Sequence, residues 1–521
     1  MEFDVVVAGG GFAGAYCARA LGRLFGKEEG ERRVALVAER NVLVFQPMLA
    51  EVAGSSLAPA DVVNPLRQFC RGVNVLQGTI QKIDWAGKYM IIDGGRFTRD
   101  HKVGFKHLVI ALGSITDLSS VPGLAEHGWP MKNVSDALRL RAALINRLEE
   151  ANLVEDDATR RRLLTFVVVG GGYTGVETAG QMLDFIRQAH RYYANLREST
   201  LRVVLVHSRD ELLGEIGPEL GSYARRVLEK RGVEVRLNTR VSAVTARQVV
   251  FGDGMSIEAN TVVTTIGNAP NPIVVDLCRQ VGVEAPNGRV PTDAAMRVAG
   301  LETLWAAGDG ASVPWKDKGK DKVSPQTAQF ALRQGTLLGK NVFGAMQGRP
   351  PRPFRYTYMG QLASIGERQA VAEVFGFHFK GFLAWWMWRT IYLAKLPGTM
   401  RKLRVMIDWT FDLIFPRDIS QLLPPPEDVV RAIHVEKGET LFTQGTPCRA
   451  FFFIRKGALT LTAQGLPDRQ VAAGSVIDQT DLDSSNLWQA TGTAAEASDL
   501  IVFRGRILQY LRQDLRLMKR E

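Results

Sequence analysis

Apolar residues recur along this chain in three rhythms, and each rhythm predicts a different kind of element. The first is the unbroken run. Val5–Val7 and Phe166–Val169 show no polar alternation, as expected of strands buried on both faces of a parallel sheet. Each run enters a glycine-rich turn and then a stretch with helical spacing, Ala15–Phe25 in the first case and a helix opening at Val176 in the second. A charged loop, Lys27–Arg33, leads to a strand at Val34–Val37; Val73–Arg99 reads as an antiparallel meander, and His107–Ile110 as a short strand ending at Ala111–Ser114. Beyond the second turn the pattern gives strand Leu201–Val206, helix Pro218–Lys230 and strands near Val233–Leu237 and Val249–Phe251. Two further apolar strands, Thr261–Gly267 and Leu304–Gly310, each end in glycine. The second rhythm is a stripe at helical spacing: Leu403, Met406, Ile407, Phe411, Ile414 and Phe415. The third is the alternation of short strands and glycine turns in Val435–Thr462.

The two glycine turns carry candidate chemistry. Gly9, Gly11 and Gly14 in VVVAGGGFAG, and Gly170, Gly172 and Gly175 in VVVGGGYTG, both read G-x-G-x-x-G between a strand and a helix. Such a turn lets backbone N–H groups approach a pyrophosphate at a helix N-terminus. One copy is a weak signal. Two copies in one chain suggest two dinucleotides held face to face, a flavin and a nicotinamide.

Side chains near the turns refine this. Glu39 follows the second strand, one place late because Ala38 fills the expected slot; it either hydrogen-bonds the adenosine ribose or is a surface carboxylate. The segment Asn41–Leu57 is too apolar for a plain surface connection, so Phe45–Pro47 is expected near the flavin. Asp309, in Ala-Ala-Gly-Asp-Gly, is placed for a ribityl hydroxyl, the alternative being a turn aspartate. Glu177 lies in the first turn of its helix, where it either meets the nicotinamide or relays a proton, or only complements the helix dipole. At the end of Leu201–Val206 the usual acid of an NAD site is missing: His207, Ser208 and Arg209 stand there. They either pair with a 2′-phosphate, or NADH binds without the acid; NADH is the first reading and NADPH the second.

Composition narrows the class. A length of 521 residues allows about three domains. The net charge of +11 suits an anionic partner, and with no reading helix or aromatic RNA-binding sheet the partner is a membrane surface and not a nucleic acid. Cys17, Cys70, Cys278 and Cys448 are scattered without a C-x-x-C pair, which argues against a disulfide scaffold, a metal site or a dithiol reductase. The scatter fits a reducing compartment, and a first strand beginning at Phe3 suggests no leader, so a cytoplasmic location is expected. Phe382–Leu396 is apolar and holds Trp385, Trp386 and Trp388, but it carries Arg389 and Lys395 and falls short of the ~20 residues that cross a bilayer. With the stripe and Arg401, Lys402 and Arg404 beside it, this segment reads either as helices lying in a membrane surface or as a helical pair packed in a core.

Taken together, the motifs GGGFAG, FQPMLAEVAG, GGGYTGVETAG, AAGDG, SPQTAQFALRQG, YMGQLASIG and KGFLAWWMWR resemble those of one family from Phe3 to about Leu423: type II NADH:quinone oxidoreductases, single-subunit and not proton-pumping. The resemblance implies FAD contacts at Gly9, Gly11, Phe12, Ala13, Gly14, Glu39, Arg40, Pro47, Gly113, Asp309 and Ala328. It implies NADH or NADPH contacts at Gly170, Gly172, Tyr173, Thr174, Gly175, Glu177, His207 and Arg209, with Gly267 at the return strand. Gln329, with Ala328 and Gln334, is expected on the flavin's quinone side, where its amide offers a donor and an acceptor to a quinone carbonyl. Glu177, Gln329 and Lys380 are the expected catalytic residues, Lys380 stabilising negative charge on either ring unless it is simply a basic residue at the membrane surface. Arg333 replaces a glutamine usual in the family. The expected acceptor is a membrane quinone, ubiquinone or menaquinone, and the expected setting is peripheral, on the cytoplasmic side of the inner membrane, as a homodimer.

After Pro424–Pro426, VEKGETLFTQGTPCRAFFFIRKGALTLT resembles the cyclic-nucleotide-binding β-roll, but the later Gly-Glu and arginine that hold a cyclic phosphate are missing from AAGSVIDQTDLDSSNLW. A β-roll without nucleotide binding, serving dimerisation or regulation, is expected. The fold class is therefore α/β, with FAD-binding residues 1–118 and 264–355, NAD(P)H-binding residues 119–263, an anchoring and quinone-site region 356–423 and a β-roll from 427 to 521. Rival functions are a sulfide:quinone reductase, for which Cys278 is the only central cysteine, a ferredoxin-type reductase, which has no use for the Trp-rich segment, and a non-enzymatic nucleotide-gated sensor.

Overall fold

Val5, Val6 and Val7 are fully buried because β1 (Glu2–Ala8) lies inside a sheet. It pairs in parallel with β2 (Val34–Ala38) on one side and with His101–Ile110 on the other. The computed structural model describes all residues except 96, 318–319, 421–429, 449, 478–486 and 505–521. The glycine turn after β1 opens α1 (Phe12–Phe25) directly, three residues earlier than its apolar spacing suggests. Lys27–Arg33 is a short helix and not a loop, with Glu28 and Glu29 in its first turn and Arg32 and Arg33 in its last, as the helix dipole favours. In Val73–Arg99 only Thr79–Asp84 and Tyr89–Asp93 form an antiparallel pair, because Asn74–Gln77 joins β2 in parallel as the outer strand. The chain leaves this sheet and returns at Leu304–Ala306, which pairs in parallel with His101–Ile110.

The intervening stretch builds a second parallel sheet. Its order is Gly128–Pro130, Thr261–Thr264, β3 (Thr165–Val169), β4 (Arg202–Val206) and Val233–Arg236. Helix α2 (Tyr173–Ala189) begins immediately after Gly172. Back in the first unit, α3 (Ala328–Ala345) crosses α1 closely: a Cβ on Gly335 would lie 2.1 Å from the Ala13 carbonyl oxygen. That crossing brings Ala328 to the first glycine turn.

Gly360–Gly366, Gln369–Val374 and Phe377–Lys380 form a three-stranded antiparallel sheet leading into α4 (Gly381–Lys395) and α5 (Thr399–Phe411). Among the described residues no helix is long and apolar enough to cross a membrane. Both helices are apolar on two sides. Trp385, Trp388, Val405 and Trp409 face inward, whereas Phe382, Leu383, Trp386, Leu403, Met406, Ile407 and Phe411 are exposed. Of the three tryptophans in α4, therefore, only Trp386 faces outward. The described residues from Val430 to Arg504 form two four-stranded antiparallel sheets with Phe442, Phe452 and Trp488 packed together in their core. Pro424–Pro426 lies outside the described residues, as does most of AAGSVIDQTDLDSSNLW.

Candidate functional site

The two glycine turns are geometrically alike. Gly9 and Gly170 have φ of +115° and +116°, which a side chain resists, and a Cβ at either would strike Ala111 or Thr265. At Gly14 and Gly175 a Cβ would lie 1.9 and 1.7 Å from the carbonyl oxygen of the turn's first glycine, so these two positions are fixed by helix–strand packing. Gly11 and Gly172 differ. Their φ values of −74° and −77° suit any residue, and a Cβ at either meets nothing within 4 Å. Nothing inside the protein requires glycine there; the space it leaves is room for a ligand's phosphates.

Each turn opens on a cavity. The first, of about 500 Å³, is lined by Gly9, Gly11, Phe12, Ala13, Glu39, Arg40, Gly113, Asp309 and Ala328. Gln46, within the Phe45–Pro47 segment expected near the flavin, shares this lining, as do Lys132, Asn133 and Asn271, which lie in no motif. Lys132 donates to the Ser114 carbonyl at 2.7 Å and to its hydroxyl at 3.1 Å; burial lowers its pKa while Asp309 opposes that. Burial raises the Asp309 carboxyl, and Lys132 and Arg289 pull it back. The capping box Asn133/Asp136, which fixes Lys132 at a helix start, was legible in Asn-Val-Ser-Asp; the direction of the lysine was not. Pro47 does not line the cavity, but its neighbour Gln46 does, while Phe45 is buried edge-on against Phe12 and Tyr392.

The second cavity, of about 550 Å³, is lined by Gly170, Gly172, Tyr173, His207, Ser208 and Arg209, and also by Arg240 and Glu215. Thr174, Gly175, Glu177 and Gly267 lie outside this lining. Tyr173 lines this cavity, and its hydroxyl is buried with no hydrogen-bond partner among the described residues. Both cavities thus fit dinucleotides by their chemistry: a glycine with room for phosphate, a helix N-terminus, and polar groups awaiting partners.

Glu177 is drawn toward α4. It is buried, and its Oε1 accepts from the Ser364 backbone N–H at 3.1 Å and from the Trp388 indole at 3.2 Å. Burial pushes its pKa up to about 8 against those two bonds. A second carboxylate, Glu51, mirrors it: buried, accepting from the Trp409 indole of α5 at 3.1 Å, and raised by burial to about 7 although Arg389 opposes the shift. Trp388 and Trp409 face each other with ring centroids 6.1 Å apart. A lone carboxylate inside the apolar FQPMLAEVAG was the sequence signal for Glu51.

Gln329 lines neither cavity. Its carbonyl accepts from the Tyr356 hydroxyl at 3.0 Å and its amide donates to the Gly360 carbonyl at 3.2 Å, so both ends are engaged in the protein. Gln334 accepts from the Gly308 N–H at 2.9 Å and holds the turn before Asp309. Arg333 stacks over Tyr356 at 4.2 Å. Lys380 also lines neither cavity: its strand lies beside the helix Pro218–Lys230, and its ammonium pairs with Glu219 at 2.5 Å. His378 contacts the same carboxylate, and the two hold the Glu219 pKa down to about 2.

Two dinucleotide turns on two parallel sheets, with the chain returning to the first, define the class: residues 3–335 match the pyridine nucleotide-disulphide oxidoreductase family. Residues 358–418 match the NDH2 C-terminal domain family. The chain is 31% identical over 415 residues to the type II NADH:quinone oxidoreductase NdhA of Mycobacterium tuberculosis, covering 78% of this chain and 86% of that one. It is 28% identical over 425 residues to Ndh of the same organism, covering 79% and 88%. The chain belongs to the type II NADH:quinone oxidoreductase family. A solved structure of NDH2 from Plasmodium falciparum in complex with NADH shares the fold at a TM-score of 0.72 and 19% identity, covering 81% of this chain and all of that one.

Proposed function

We propose that this chain, an NADH:quinone oxidoreductase of the type II family, binds FAD in the first cavity and NADH in the second. We infer that it works peripherally, at the cytoplasmic face of an anionic membrane. Bound beside the Gly9–Gly14 turn, FAD would supply the chemistry of accepting a hydride from NADH and returning two electrons to quinone. The observation that carries the reading is the shared geometry at Gly11 and Gly172, glycines that neither backbone nor packing requires, each over its own cavity.

The chain's residues then have distinct tasks. Gly9–Gly14 and Gly170–Gly175 present N–H groups to the two pyrophosphates. Asp309 and Lys132 bring opposite charges to the flavin cavity and moderate each other. Glu177 holds a proton at neutral pH; with Oε1 accepting both of its hydrogen bonds, Oε2 is left to carry that proton toward the quinone side. Gln329 acts through its fixed contacts, setting Tyr356 and the start of the Gly360–Gly366 strand beside Arg333 and α3. The outward faces of α4 and α5 supply the apolar contact with lipid. The two C-terminal sheets are read as a β-roll that lacks nucleotide binding and serves dimerisation or regulation.

Substituting Gln329→Leu tests the quinone side. It leaves the Tyr356 hydroxyl and the Gly360 carbonyl without their partners, a loss worth roughly 1–3 kcal/mol. In anaerobic rapid-reaction measurements, reoxidation by a soluble quinone is expected to slow about tenfold, since roughly 1.4 kcal/mol is a factor of ten. Reduction by NADH should be nearly unchanged. Equal losses in both halves would remove Gln329 from the quinone side.

A further inference from the structure

We propose that the second cavity contains a built site for the 2′-phosphate of NADPH, with Arg209 and Arg240 as its two cations, so that NADPH serves as an electron donor beside NADH. This rests on reading that cavity as the nicotinamide nucleotide site. In a parallel nucleotide-binding sheet the residues at the end of the second strand meet the adenosine ribose. Here that strand is β4, and His207, Ser208 and Arg209 follow it along the cavity wall.

Arg240, far from any sequence motif, is brought to the same wall by the neighbouring strand, Val233–Arg236. The two loops are tied backbone to backbone. The Asn238 N–H donates to the Arg209 carbonyl and the Thr239 N–H to the His207 carbonyl, each at 2.9 Å. The Arg240 carbonyl in turn accepts from the Gly252 N–H at 2.9 Å. The pair of arginines is therefore held on one rim by bonds that do not involve their side chains.

Their guanidinium groups are also uncommitted. The nearby Arg202 and Arg236 are both spent on Glu234, at 2.7 and 2.6 Å. Arg209 and Arg240 pair with no carboxylate among the described residues. His207 adds a donor: its Nδ1 accepts from the Gly171 N–H at 3.1 Å, which places the ring proton on Nε2. Glu215 lines the cavity too, and it acts on Tyr173 and Tyr358. A dianionic phosphate on the ribose would meet the two guanidinium groups of Arg209 and Arg240, with Asp210 as the one carboxylate acting on His207 of the same wall, and arginine's planar fork matches phosphate oxygens.

Titration of the flavin-loaded protein with 2′,5′-ADP and with 5′-ADP isolates the site, because neither nucleotide turns over. The wild type is expected to bind 2′,5′-ADP at least about tenfold more tightly, the scale of one charge-assisted hydrogen bond. Arg240→Ala should bring the two nucleotides to within about twofold and lower kcat/KM for NADPH by a matching factor, as expected when a single such bond is lost. Equal binding by the wild type overturns the phosphate site and leaves the nucleotide site standing. Failure of both nucleotides to bind overturns the reading beneath it. A preference that survives in both Arg209→Ala and Arg240→Ala removes these residues from the role.

Discussion

Glu177 and Glu51 are carboxyls whose pKa values burial raises, each tied to one indole of the α4–α5 pair. Burial is the main cause of the raised Glu177 pKa, and the Glu51 carboxylate adds to it. Raised values carry a definite sign for stability. Below the ordinary glutamate pKa of 4.5 both folded and unfolded chains are protonated. Between 4.5 and about 8 the folded chain keeps a proton that the unfolded chain has released, so stability falls as pH rises through that window and then levels off. Replacing Glu177 by Gln preserves the acceptor oxygen and removes the ionisation. The fall in Tm between pH 5 and pH 8 should be visibly flatter in that variant, since a pKa unit corresponds to roughly 1.4 kcal/mol. An unchanged slope would mean that Glu177 is already ionised at neutral pH.

In the helices Gly381–Lys395 and Thr399–Phe411 the packed side chains and the exposed apolar ones lie on different faces. Trp388 and Trp409 reach inward to the buried carboxylates, and Arg389 lies over the Trp409 ring at 4.7 Å. Met400, Ile414 and Phe415 are 66, 71 and 58% exposed, far more than a cytosolic surface needs. Deleting the segment would therefore damage the interior as well as the outer face. Substituting Leu403, Met406 and Ile407 by Ser touches only the exposed stripe. Each such side chain contributes up to roughly 1.5–3 kcal/mol when it leaves water, so vesicle binding should weaken by more than about tenfold. Tm should stay close to wild type. Undiminished binding to anionic vesicles would remove the stripe as the anchor.

At the scale of the molecule, the strand–glycine–helix units were legible because a buried parallel strand leaves an unbroken apolar run and the turn admits only glycine at Gly9 and Gly170. The partners that arrive from elsewhere were not legible. Lys132 reaches Ser114 across 18 residues and Tyr356 reaches Gln329 across 27, and Arg240 joins the wall of the second cavity by tertiary packing, which no local pattern encodes. Lys380 shows the converse: its position in a motif gives no sign that Glu219, 161 residues earlier, takes up its charge. The C-terminal unit is joined to residues of the 119–263 segment by bonds of the same long-range kind. The His434 N–H donates to His127 Nε2 at 3.0 Å, and the Thr245 hydroxyl donates to Glu439 at 2.6 Å.

The central claim is that one bound flavin serves both a soluble donor and a lipid-dissolved acceptor. Anaerobic titration of the purified protein, followed by its visible absorbance, tests this most directly. One equivalent of NADH per flavin should bleach the visible absorbance of the oxidised flavin, and one equivalent of quinone should restore it. A colourless protein that takes up no flavin, or a bleached one that quinone fails to reoxidise, would contradict the account.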